Sequence, residues 1–491
     1  MDSHAPKQVP SHPARSPRYD RLTPADCVRL HDASLSILER TGVRLHDEEA
    51  VERLAGAGAR VGDDGRVFVP GSLVKWALSV APRSVTLHRR GGEPAIALEG
   101  DSAWFGPGSD CLNILDHRTG ERRRPTLQDV RDGLTMVDAL PNMDFGMSMF
   151  LPSDVAPAMA DRHQMAIMLE CTTKPLVVVT YDLDAMLDAI EMAEAVAGGR
   201  DALRERPNVA FYINVTRGLV HNGDSLRKLL VLAERGLPAL WIPVTSGGTT
   251  GPVSVAGNVV LNNAGILVGV VLAQLVREGT PVVIPGFGGD ALDLRTMVDP
   301  YAGPDHRGVV PSLAHHYGLP MFSLAGGSDS KTVDQQAAAE ASLTMLVDAL
   351  AGGHLIHDSG YLESGLTGSL AQLAICNEIA TWTRAAISPV DMSDEALALD
   401  LIDQLGPDGS FLETDHTIAH YRERWYPSLI DHLAYSAWQA RGATTLAERA
   451  AVRVDRILAD HRPAPLPDDV ARTIAGILER AAATLRPATQ A

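Results

Sequence analysis

Two periodicities alternate along this chain. Short runs rich in β-branched and aromatic residues read as strands over 102–106, 143–150, 175–181, 208–215, 238–244, 280–287, 320–325 and 354–358. Between most of them lies a stretch with apolar residues at helical spacing, such as "ADRHQMAIMLECTT", "DAMLDAIEMAEAVAGG" and "GDSLRKLLVLAERG". Strands alternating with helices build parallel β-α-β units. Eight of them predict a TIM (β/α)8 barrel of the α/β class over residues 101–388, with an open doubly wound sheet as the alternative fold.

The flanks follow other patterns. Residues 21–100 read as an N-terminal helical cap with short strands: Thr23 is placed as an N-cap, Pro24 at the first helical position and Gly42 as a stop. Residues 1–20 hold four prolines and little to bury, the pattern of a disordered tail. Residues 389–491 predict a C-terminal helical extension, including one long helix over "TDHTIAHYRERWYPSLIDHLAYSAWQARG".

Composition narrows the function. A net charge of -18 disfavours a surface that gathers phosphates, which argues against nucleic-acid partners. The apolar stretch "AGILVGVVLAQLV" is shorter than the ~18 residues of a membrane span and reads as a buried helix, so no membrane association is expected. Cys27, Cys111, Cys171 and Cys376 form no C-x-x-C pair; they read as reduced thiols of a cytoplasmic protein. Low aromatic content and apolar helices are compatible with a homo-oligomer.

In a barrel the chemistry sits on the loops that leave the carboxyl ends of the strands. Polar and glycine residues gather there: "GPGSD" at 106–110, "TYD" at 180–182, "NVTRG" at 214–218, "TSGGTTGP" at 245–252, "GFGGD" at 286–290, "GGSDSK" at 326–331 and "HDSGYLES" at 357–364. Each has a plainer reading. Ser328 or Asp329 serves equally as a helix cap, with Lys331 in solvent. His357 serves as a satisfied structural histidine, Glu363 as a local cap, and Asp110 shares that ambiguity. Trp382, Tyr421, Trp425 and Trp438 sit on helical patterns and read as packing residues. "GFGGDA" lacks the helix that a dinucleotide site needs. No metal site is expected, because His315 and His316 are adjacent and His416 and His420 have no Glu in H-E-x-x-H form. From the residues alone the chain reads as a barrel enzyme of open chemistry.

The blocks "SGGTTGPVSVAGNVVLNNAGILVGVVLAQLVREGTPV", "AGGSDSKTVDQQAAAEASLTML", "HDSGYLESGLTGSLAQLAICNEI" and "LIDQLGPDGSFLETDHTIAHYRERWYPSLIDH" resemble the trimethylamine methyltransferase (MttB-like) family from about residue 20 to about residue 480. That resemblance implies a methyltransferase acting on an amine, with the corrinoid (cobalamin) of a separate protein as acceptor. The trimethylamine enzyme carries pyrrolysine in the loop placed here around Gly326 and Gly327, where this chain has glycines. The departure points to quaternary amines such as glycine betaine, proline betaine or carnitine. On that reading Asp329 and Glu363 are the catalytic candidates, supplying negative potential. His357 contacts a betaine carboxylate, Gly326, Gly327 and Ser328 line the turn, and Phe105, Tyr181 and Phe287 face the ammonium. Two other readings stand: a barrel that binds a small molecule or a corrinoid protein without turnover, and a hydrolase or lyase using Asp329 with Glu363.

Overall fold

The structure is a computed structural model and describes residues 17–485. The first sixteen residues of the expected tail lie outside that range. Seven strands form one parallel sheet, in the spatial order Trp104–Pro107, Leu355–Ser359, Met321–Leu324, Val282–Pro285, Ala239–Pro243, Val209–Val215 and Leu176–Val179. Each matches an expected run, and helices connect them in the α/β manner.

The eighth position is filled differently from the expected strand over 143–150. That segment makes single bridges instead of a ladder: Gly146 pairs in parallel with Leu176, and the Asp144 amide donates to the Phe105 carbonyl at 2.6 Å. It thereby links the two outer strands and closes the ring. The Asp144 carboxylate also accepts the Phe105 N–H at 2.8 Å, replacing a ladder bond with a side chain. Met149, at φ 62, turns the backbone out of strand geometry.

Alternation along the strands sorts the side chains. Trp104, Val177, Ala210, Leu240, Val283, Phe322 and Leu355 point into the barrel and share one apolar cluster with Phe145 and Met147. A hairpin, Val85–His88 with Pro94–Leu98, joins this cluster through Leu87 and Leu98. Its His88 amide bonds to the Pro207 carbonyl, just before the Val209–Val215 strand, so the hairpin plugs the amino-terminal mouth of the barrel.

Outside the ring, the helix Pro24–Arg40 starts as expected at Thr23, whose side chain forms a reciprocal capping box with Asp26. It packs on the 22-residue helix Val255–Val276, with Ser34 donating to the Val260 carbonyl at 3.1 Å and accepting from Asn263 at 2.9 Å. That helix is longer than its sequence core suggested, and long and apolar enough to cross a membrane. Yet 78% of its most apolar window is buried in the protein. A Cβ at Gly269 would stand 2.2 Å from the Trp241 indole, so glycine is needed for the helix to seat on the barrel.

The carboxyl-terminal region departs from its expected long helix. α-Helices run only over Asp415–His420 and Tyr435–Ala440, with a single 3-10 turn at Tyr421–Glu423 between them. Pro427 interrupts the pattern, and the buried Glu378 carboxylate accepts the backbone N–H groups of Ser428, Leu429 and Ile430, holding the intervening chain as a loop. Helices Leu446–Asp460 and Asp468–Thr484 then return to pack against the helices of the barrel.

Candidate active site

The barrel opens at the carboxyl ends of its strands. Along the inward column of Val209–Val215, Ala210 is buried, Tyr212 is half-buried and Asn214 is exposed. Val179 and Leu324 are likewise half-buried at their strand ends. With the other end plugged, this mouth gives access to the interior.

Four rings line it. Phe322 stacks on His357 with centroids 3.8 Å apart and planes at 17°. Phe287 lies 5.9 Å and Tyr212 6.4 Å from the same imidazole, while Tyr212 is 5.3 Å from Phe322. His357 Nδ1 is 2.6 Å from the Ser323 carbonyl, so Nδ1 carries the proton and Nε2 a lone pair. Burial holds the imidazole down to about 3, which keeps it neutral.

His357 Nε2 stands 3.4 Å from Asp358 Oδ2. Asp358 sits at φ 83 in a register shift between Ile356 and Ser359, a costly conformation for a residue other than glycine. Burial alone pushes its carboxyl well above the usual range, and no cation offsets that shift. A second carboxylate, half-buried Asp110, also has positive φ, at 61°. It accepts from Gln164 Nε2 at 2.8 Å and Ser148 Oγ at 3.1 Å, and burial raises its carboxyl too. Both carboxylates act on the same three groups, Tyr212, Tyr361 and the Cys111 thiol, pushing all of them further up beyond the larger effect of burial. Gly108 makes this packing possible, since a Cβ there would lie 2.2 Å from Asp358 Oδ1. Cys111 is no nucleophile in this setting.

The polar turn at 326–331 builds the adjoining wall. Its expected role as a helix cap goes instead to Asp334, which accepts the Ala337 N–H at 3.0 Å. The Asp329 carboxylate accepts the Tyr301 N–H with both oxygens at 3.0 Å and the Ser364 hydroxyl at 2.6 Å. Glu340 fixes the turn from below, accepting from Ser328 Oγ at 2.5 Å and the Asp329 N–H at 2.9 Å. Gly327 lets the Tyr301 ring close in, for a Cβ there would lie 2.3 Å from Cε1. Gly326, at φ 89, donates its N–H to Thr344 Oγ1 at 3.0 Å. Arg307 ties the Tyr301 loop down, donating to the carbonyls of Tyr301, Gly303 and Leu324.

Of the residues singled out from the sequence, Asp110, His357, Phe287, Gly327 and Asp329 come together here. Two aromatic expectations are corrected. Phe105 points away from the mouth: Trp104 takes the inward side, so alternation turns Phe105 out against Arg384, 5.4 Å from its ring. Tyr181 is 86% exposed, because its strand ends at Val179 and its N–H is held by Asp161 while the ring stands in solvent on the rim. Glu363 turns to a peripheral contact, accepting from Arg122 Nε at 2.7 Å and Thr367 Oγ1 at 2.5 Å. Ser328 serves the turn through Glu340, and Trp382 stacks on Trp425 at 5.4 Å at the surface.

Sequence reasoning missed Tyr212, Tyr301, Phe322, Asp358 and Tyr361. The inward parity of "NVAFYINV" was enough to find Tyr212. Asp358 gave no such sign, because only the register shift brings a residue next to inward His357 into contact with the same cluster.

A family model described as trimethylamine methyltransferase (MTTB) matches residues 1–485. A trimethylamine methyltransferase MttB of Desulfitobacterium hafniense is 33% identical over 454 residues, covering 92% of this chain and 91% of that protein. A glycine betaine methyltransferase of Desulfitobacterium hafniense strain Y51 is 30% identical over 460 residues, covering 92% and 95% respectively. The monomethylamine methyltransferase MtmB of Methanosarcina barkeri superposes with a TM-score of 0.51 at 10% identity over 95% of this chain and 88% of that one, which shows the barrel fold. The protein is therefore an enzyme of the methyltransferase class, and the chain belongs to the trimethylamine methyltransferase family.

Proposed function

We propose that this chain moves a methyl group from a quaternary amine to the Co(I) corrinoid of a separate corrinoid protein. One observation carries the reading: beneath the mouth, next to a group of aromatic rings, lie two acidic side chains, half-buried Asp110 and buried Asp358, whose carboxyls burial raises and no cation offsets. Such a site suits a cation with an apolar surface, and a methylated ammonium is one. The family adds the reaction, since relatives in it are named for methyl transfer from trimethylamine and from glycine betaine.

The chemistry asks little of acids or bases. The N–CH3 bond breaks with its electron pair left on nitrogen, releasing a neutral tertiary amine, while the methyl group bonds to the nucleophilic cobalt of the acceptor. What remains for the protein is orientation and exclusion of water. The rings of Tyr212 and Phe287 would hold the N-methyl groups by cation–π contact, each worth about 1 kcal/mol, backed by Phe322 and His357 stacked beneath. Asp110 and Asp358 would supply the counter-charge. Asp329 and Gly327 would act through Tyr301, fixing the wall against which the amine rests, while Gly326 lets the turn pack against Ser359.

Other features fit this reading. Co(I) needs reducing surroundings, and Cys27, Cys111, Cys171 and Cys376 are all free thiols, as a cytoplasmic setting would leave them. Leu399, Leu412 and Tyr426 stand exposed on the loosely packed segment after Ser388, where a second copy of the chain would find apolar surface. The test is to mix the purified protein with a reduced corrinoid protein and methylated amines while recording the visible spectrum. Conversion of Co(I) to the methylated form supports the reading. Absence of any change, with a corrinoid protein shown to accept methyl groups from another methyltransferase, contradicts it.

A further inference from the structure

Resting on that reading, we infer that the fourth arm of the quaternary ammonium substrate is uncharged, an alcohol or alkyl group rather than a carboxylate. A betaine needs two things of its site, negative potential at the nitrogen and a donor or cation at the carboxylate. Acidic groups are present at this mouth, but among the described residues no buried Lys or Arg is left over to meet a carboxylate.

The missing cation can be traced residue by residue. Among the described residues five Lys and Arg side chains are buried, and each is committed elsewhere. Arg162 pairs with Asp188 at 2.6 Å, and Arg384 with Asp144. Lys174 donates to the carbonyls of Val137, Leu140 and Met143, and Lys228 pairs with Asp224 at 2.9 Å. Arg307 lies nearest the mouth but spends its guanidinium on three loop carbonyls and Asp348. At the rim, Arg122 is held by Glu363 and Lys331 by the Asp329 carbonyl.

The remaining polar groups lead the same way. His357 gives its one N–H to Ser323, so the nitrogen facing Asp358 carries a lone pair and repels a carboxylate. The Tyr361 hydroxyl donates to the Ser109 carbonyl. A substrate carboxylate would enter beside two acidic side chains, in a low-dielectric site with no buried Lys or Arg free to balance it. An alcohol arm meets no such conflict. The Tyr301 hydroxyl, buried with no hydrogen-bond partner, is an uncharged group suited to such an arm.

Choline and glycine betaine separate the alternatives, because they share the trimethylammonium group and differ in the arm. Titration calorimetry of the full chain with choline, tetramethylammonium and glycine betaine near neutral pH is expected to rank both simple cations at least about tenfold tighter than the betaine. Asp358→Asn, checked for folding by circular dichroism, is expected to weaken choline at least about tenfold and to leave glycine betaine unchanged or tighter; Asp110→Asn serves as a second variant. Tighter binding of glycine betaine than of choline overturns this inference and leaves the proposed function intact. No binding of any of the three, together with no methylation of a corrinoid protein, overturns both.

Discussion

Asp329 accepts the backbone N–H of Tyr301 with both carboxylate oxygens, each at 3.0 Å. Through this contact and its bond to Ser364, one side chain ties together the loops that follow three neighbouring strands. Asp329→Ala leaves the Tyr301 amide without its acceptor, a loss of about 1–3 kcal/mol. If Tyr301 forms a wall of the site, kcat/KM for methyl transfer falls by about 10–100-fold. Steady-state kinetics with circular dichroism of the same sample checks this, and unchanged kinetics in a folded variant refutes the role.

Gly327 makes a steric prediction. The Cβ of Gly327→Ala would lie 2.3 Å from the Tyr301 ring, so that ring must move. The variant is expected to fold and to bind amines at least about tenfold more weakly, since a displacement of about 1 Å is costly where orientation does the work. Calorimetry with the same amine panel measures it.

Asp358 carries the pH dependence. Its folded carboxyl titrates above its unfolded value, so the native state holds more protons than the unfolded one between the two, and stability falls as pH rises from the acid range through that window. Asp358→Asn therefore raises Tm at pH 8 more than at pH 4. The opposite sign holds for ligand binding. A bound ammonium favours the ionised carboxylate, so affinity for a cation grows as pH rises, with release of a proton. The groups facing Asp358 are His357, held neutral, Asp110, whose carboxyl burial raises, and Cys111, Tyr212 and Tyr361, whose own protons burial holds on. Calorimetry in buffers of different ionisation enthalpy counts that proton. A cation affinity that falls with rising pH contradicts the assignment.

The expected catalytic pair of Asp329 and Glu363 divides. Glu363 faces Arg122, whose side chain is 48% exposed, and such pairs are worth about 0–1 kcal/mol. Glu363→Gln is expected to change stability by no more than that and amine affinity by less than about twofold, as read by thermal denaturation and calorimetry.

What the sequence made legible was whatever repeats with a period. Seven of eight expected strands stand as regular strands because burial on one face enforces alternation. The exception, 143–150, holds Gly146 and the positive-φ Met149, and closes the ring through Asp144 rather than through a ladder. Parity also explains Phe105, whose neighbour Trp104 takes the inward place. Placing a residue at a strand end was not enough to aim its ring, as Tyr181 in solvent demonstrates. The acidic half of the site was hidden for a different reason. Asp110 is among the candidate loop residues, but its pairing with Asp358 depends on left-handed backbone at 61° and 83°, conformations that three-dimensional packing imposes and composition does not announce. The long helix expected after residue 414 failed at Pro427, where Glu378 offers the backbone another set of bonds.

The central claim is methyl transfer from a quaternary ammonium at this mouth, and the most direct measurement is the visible spectrum of a reduced corrinoid protein mixed with this chain and choline, with Asp358→Asn as control. The account predicts methylation of cobalt by the native chain and at least about a tenfold slower rate with the variant. Equal rates for both proteins would remove Asp358 from the reaction, and no methylation from any quaternary amine with an active acceptor would contradict the account itself.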